Sequence, residues 1–172
     1  SQKVGIRLRQ VRITLNGGEI VTEAGALHYH FGKIDSDNKI SGGGGIARRV
    51  LNAALNSESL FRPTYRGKGE IFLEPSFKHY TVIKLDNDSL ILDDGMFYCA
   101  TSGIEVSIKT VSNISSALFG SDGLTQTTVK GSGIVVLEIP VPVEELKEIE
   151  LSNDELKVDG HFAIMRTGGI SY

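Results

Sequence analysis

Apolar and polar residues alternate along most of the chain, in stretches too short for anything but strands. Val4, Ile6 and Leu8 take one face of the first stretch while Lys3, Arg7 and Arg9 take the other, the two-residue period of a half-buried strand. After Gln10 the phase slips by one, and Val11, Ile13 and Leu15 continue the apolar row. Such a slip predicts a β-bulge or a short turn. Asn16-Gly17-Gly18 predicts a hairpin turn, since these residues accept positive φ. Ile20–Thr22 and Ala26–Phe31 read as further strands, with Gly25 at the bend between them.

One stretch departs from this period. Behind the glycine run 42–45, apolar residues at 46, 47, 50, 51, 54 and 55 keep helical spacing and predict a short helix over Ile46–Leu55. Elsewhere the pattern predicts strands at Ile71–Leu73, Tyr80–Leu85, Leu90–Leu92, Met96–Ala100, Glu105–Thr110, Ile134–Ile139, Glu148–Leu151 and His161–Arg166. Gly, Asp, Asn or Pro punctuates them, which is the rhythm of a β-sandwich or barrel and not of βαβ units. The fold class is all-β.

The pattern is also written more than once. Superposing Gly67-x-Gly69 on Gly131-x-Gly133 sets Leu60 on Leu124, Thr64 on Thr128 and Glu74 on Glu138. A leucine, a polar turn and a later glycine recur three times, at Leu15…Gly25, Leu85…Gly95 and Leu151…Gly160. A unit of this size buries its apolar face poorly alone. The expectation is one domain of three sandwich-like β units, about 1–56, 57–120 and 121–172, packed about a pseudo-threefold axis.

Glu23-Ala24-Gly25-Ala26, the glycine run before Ile46, Glu58-Ser59-Leu60-Phe61, Gly67-Lys68-Gly69, Leu118-Phe119-Gly120, Gly123-Leu124 and Gly131-Ser132-Gly133 occur in the order found in one family. On these motifs the chain resembles the altered-inheritance-of-mitochondria, or mitochondrial biogenesis, family over nearly its full length. The resemblance implies a double-stranded β-helix-like fold of three units similar to the tryptophan RNA-binding attenuation protein. It also implies a further glycine-rich segment after the equivalent of Tyr172 that returns to complete the first unit, which is incomplete without it. It attaches no reaction to the chain.

Composition narrows the function classes. A net charge of −3 with 23% charged residues argues against a surface that is wholly a polyanion footprint. The single cysteine, Cys99, lies in an apolar run and cannot form an intrachain disulfide, which points to a reducing compartment and, by default, the cytoplasm. No apolar run reaches the length of a spanning helix.

Candidate chemistry is sparse. His28 and His30 stand two apart, so on a regular strand they share a face and form the weak metal candidate of a cupin-like enzyme. Asp35 is the nearest acid, and neither His79 nor His161 has the context of a third ligand. The glycine run 42–45 ends Gly-Ile-Ala and lacks the Gly-Lys-Ser/Thr of a phosphate loop. Arg62, Arg66 and Lys68 form a candidate phosphate-contacting strip for a small ligand or RNA, although the second copy replaces the arginines by Gln126 and Lys130. No triad or cofactor signature is present. The reading is therefore a non-enzymatic, self-associating scaffold or binding module without a cofactor. The alternatives are a small-ligand or nucleic-acid-binding module and a metal-dependent enzyme.

Overall fold

A computed structural model describes residues 7–37, 62–111, 124–158 and 162–170. The expected helix over Ile46–Leu55, the first strand positions Lys3–Ile6, and the glycine run 42–45 lie outside the described residues. Within them the chain is all-β: eight strands in one antiparallel sheet, with a 3-10 turn at Val143–Glu145. No described helix is long and apolar enough to cross a membrane.

The strands are β1 (Arg12–Thr22), β2 (Leu27–Asp37), β3 (Thr64–Leu73), β4 (His79–Leu92), β5 (Phe97–Thr101), β6 (Ile104–Val111), β7 (Leu124–Ile139) and β8 (Met165–Thr167). Their order across the sheet is β2-β3-β1-β5-β7-β4-β8, with β6 also paired to β7. β3 shares its ladders with β1 and β2, across the boundary expected near residue 56. β7 plays the same part for β4 on one side and for β5 and β6 on the other.

Corresponding ladders keep one register. Leu15 faces Gly69 as Leu85 faces Gly133, and Ile34 faces Gly67 as Ile104 faces Gly131. The bulges repeat too. One falls between Leu27 and Tyr29 opposite β3, and its counterpart between Phe97 and Cys99 opposite β7. Beyond β7, the third unit contributes β8 and a corner residue, Asn153, whose φ of 55° lies in the left-handed region like those of Asn87 (52°) and Gly17 (87°).

Asn16-Gly17-Gly18 is not a hairpin turn. β1 runs through it, because Leu15 and Gly18 keep the same partner strand on either side of a bulge. One residue in the left-handed region bends the strand without reversing it. Asn87 does the same in β4, which joins the two expected strands Tyr80–Leu85 and Leu90–Leu92 into one. The expected strand at Glu148–Leu151 is absent, and of His161–Arg166 only the end is paired, as part of β8. Residues 148–151 have the alternation of a strand but no ladder partner among the described residues. Unpaired backbone groups do not hold a strand in place.

β5 joins the two halves of the core. Phe97, Tyr98, Cys99 and Ala100 are all buried, as expected of a strand covered on both faces. Phe97 and Ala100 pack with Leu92, Val129, Leu137 and Ile139. Tyr98 and Cys99 pack instead with Leu15, Ile71 and Leu73.

Gly67 and Gly131 are required by the crossing of neighbouring strands. Both have φ near +130°, and a Cβ on either would collide with a neighbour's carbonyl oxygen, that of Lys33 or of Gly103. Gly67→Ala and Gly131→Ala should each lower unfolding free energy by about 1–3 kcal/mol, from backbone strain and steric conflict. Gly18→Ala is the control, since its Cβ meets nothing within 4 Å. Urea midpoints measure all three, and an alanine at 67 or 131 as mild as that at 18 contradicts the crossing.

Candidate binding edge

The bulge at His28 shapes the outer edge of β2. It offsets the strand so that Tyr29 lies opposite Phe72 and Phe31 opposite Glu70. Tyr29 and Phe72 stack at 4.6 Å between ring centroids, and Phe31 lies 5.5 Å from Phe72. Tyr29 remains 43% exposed and Phe31 53%. Offset and tilted stacking at these distances is favourable for aromatic rings. Among the described residues β2 has β3 as its ladder partner and ends the sheet, and none of them pairs with its far side, beside the aromatic surface.

The same bulge separates the histidines. His28 meets the Tyr29 ring edge-on at 5.0 Å, and its Nδ1 is 3.1 Å from Gln10 Nε2. His30 comes one register position later, opposite Ile71. The two-residue alternation that would set both imidazoles on one face is thus interrupted. No group of three His, Cys, Asp or Glu side chains suited to a metal occurs among the described residues.

The three basic candidates do not gather into a strip. Arg62, its side chain only 9% exposed, pairs with Glu23 at 3.3 Å and lays its guanidinium over the Phe97 ring at 4.9 Å. It is a core cation whose Nε finds no hydrogen-bond partner. Arg66 pairs with Glu19 at 2.9 Å and has Asp35 opposite on β2. Lys68 is exposed and faces Lys33. Arg12 with Glu70 completes a surface of mixed sign.

A polar cluster missed in the sequence lies where β4 meets β7. Tyr80 stands opposite Glu138, and its hydroxyl donates to Glu138 Oε1 at 3.4 Å. Lys78 Nζ donates to Glu138 Oε2 at 2.8 Å, and the Ser76 and Tyr80 hydroxyls are 3.0 Å apart. Tyr98 stacks near Tyr80 at 5.1 Å and donates to the Glu74 carbonyl at 2.7 Å. Burial alone would raise the Glu138 carboxyl. The Lys78 ammonium and the Ser76 and Tyr80 hydroxyls outweigh that and hold it below its ordinary value. Burial pushes the Tyr98 hydroxyl up and the Cys99 thiol up to about 12, so neither supplies an anion near neutrality. The only signal for the cluster in the sequence was the 64-residue offset that sets Glu138 on Glu74, and it says nothing of Tyr80.

A family model described as Mitochondrial biogenesis AIM24 matches residues 2–172. The chain belongs to this family. It is 23% identical over 165 residues to an uncharacterized protein of Streptococcus pyogenes serotype M6, covering 91% of this chain and 65% of that protein. An X-ray structure of a Streptococcus pyogenes protein shares its fold, with a TM-score of 0.58 at 20% identity over 80% of this chain and 62% of the other. The chain thus spans somewhat less than two thirds of either relative's length.

In this AIM24-family chain, Glu138 is the titrating group to test. Its lowered folded value means that its stabilisation is present above the ordinary 4.5 and disappears as pH falls through the folded value. Glu138→Gln should cost about 0.5–1 kcal/mol at pH 7, with the gap to the native chain closing towards pH 3. Urea unfolding across pH checks this, and a gap independent of pH contradicts the assigned charge state.

Proposed function

We propose that this chain is a non-enzymatic binding or scaffold module that acts through the exposed edge of β2, by adding a partner's strand. The observation that carries this is the union of a sheet edge with no further ladder partner among the described residues and the stacked rings of Tyr29, Phe31 and Phe72. Exposed edges are normally blunted by charge, proline or a covering element. Here the bulge precedes the aromatic stretch, and Tyr29 and Phe31 remain about half exposed. Main-chain hydrogen bonds along such an edge supply affinity, and side chains on alternate positions supply selectivity. Aromatic rings of this kind contribute disproportionately to interfaces.

The separation of His28 from His30, the burial of Cys99 and the enclosure of Arg62 all weigh against a reaction centre and against a phosphate strip. The lone, buried Cys99 suits a reducing compartment, and the proposed site of action is the cytoplasm.

Tyr29→Lys with Phe31→Lys is the direct probe, since edge lysines oppose strand addition. The double variant should unfold within about 1 kcal/mol of the native chain, because both rings are half-exposed. It should also lose the concentration-dependent slowing of amide exchange expected for β2 in the native chain. Fast exchange of β2 amides in the native chain at every concentration, with any candidate partner, would remove this reading.

A further inference from the structure

The strand pairings repeat in a way that leaves two matching ends unused. The end of β1 pairs with β5, Ile20 facing Thr101 and Thr22 facing Cys99. The end of β4 pairs with β8 in the same fashion, Leu90 facing Thr167 and Leu92 facing Met165. Counting from the left-handed corners makes these ends equivalent. Ile20 and Thr22 lie three and five residues after Gly17, and Leu90 and Leu92 lie three and five after Asn87. After the third corner, Asn153, the same count reaches Leu156 and Val158.

Leu156 and Val158 are in no strand, and they are 45% and 41% exposed. Their counterparts Ile20, Thr22 and Leu92 are buried. On the accepting side, Cys99 lies four residues after Gly95, and Tyr29 lies four after Gly25. Cys99 has its β1 partner. Tyr29–Phe31 has none among the described residues. Among the described residues, one donor segment and one acceptor edge are left over.

We infer that Glu155–Val158 of one copy of this chain adds to the Tyr29–Phe31 edge of a second copy. The register copied from the β1–β5 pairing sets Leu156 opposite Phe31 and Val158 opposite Tyr29. Continued by two residues, it sets Asp154 opposite Lys33, an opposite-charge pair across the new ladder. The occupant is a second copy because both segments are described within one chain and no ladder joins them there, Leu156 and Tyr29 both remaining exposed. Each copy offers one donor and one acceptor, so two copies can satisfy both at once about a twofold axis. The exposed apolar side chains at 156 and 158 and the aromatic edge are then covered by the same event. This inference rests on the reading of β2 as a binding edge.

The test is light scattering on three chains: native, Leu156→Asp with Val158→Asp, and Tyr29→Lys with Phe31→Lys. The native chain should move from 18.6 kDa towards twice that mass as concentration rises. Each double variant should remain monomeric and folded by circular dichroism, with association at least about tenfold weaker. Mixing the two variants should restore a dimer, because one carries an intact donor and the other an intact acceptor. Loss of association in the β2 variant alone would overturn the inference and leave β2 as a binding edge for something else. Association untouched by either variant would overturn both readings. A native chain that stays monomeric would overturn the inference as well, whether its β2 amides are protected by its own segment or exchange freely.

Discussion

The close crossing of each central strand with its neighbour is the constraint on which the sheet depends. At Gly67 the backbone of β3 lies against the Lys33 carbonyl, and at Gly131 that of β7 lies against the Gly103 carbonyl. No side chain fits there, and both residues adopt φ values that L-residues with a Cβ disfavour. Given that crossing, the central strand can hold partners on both sides, and the registers on the two sides are fixed together. The two buried clusters then follow, joined through β5. That strand is buried from Phe97 to Ala100 because its two faces pack into the two clusters, while its edges pair with the end of β1 and with β7.

The same geometry accounts for what is exposed. Where a neighbour exists, as for Cys99 and Ala100, the strand is apolar and covered. Where the described residues supply none, as at Tyr29 and Phe31, the side chains are aromatic and stacked on the sheet's own surface. The rings shield one another only in part, which makes this edge differ from the charged outer face of Arg12, Glu19, Arg66 and Glu70. On that face ion pairs of opposite sign alternate, and exposed pairs of this kind contribute little to stability. They do keep the face from presenting a field of one sign to a polyanion.

Much of the fold was legible in the sequence because its signals are local. Two-residue alternation gave the strands, and Gly-x-Gly marked both central strands. What failed did so for non-local reasons. Asn16-Gly17-Gly18 has the composition of a hairpin turn, yet β3 pairs on both sides of it and turns it into a bulge. Glu148–Leu151 alternates like a strand, but alternation cannot supply a partner. His28 and His30 have the spacing of a shared face, and a bulge at His28 offsets them. Arg62 looked like a surface cation because its acid, Glu23, and its ring, Phe97, are distant in the chain. The Lys78–Glu138 cluster needed the β4–β7 register before any of its members could be placed together.

Cross-strand proton contacts in solution measure this register most directly. Nuclear Overhauser effects should link Ile34 with Gly67 and Ile104 with Gly131, and should link Leu15 with Gly69 and Leu85 with Gly133. A shift of one residue in either half, with Lys68 or Ser132 taking the place of its neighbouring glycine, would contradict the account.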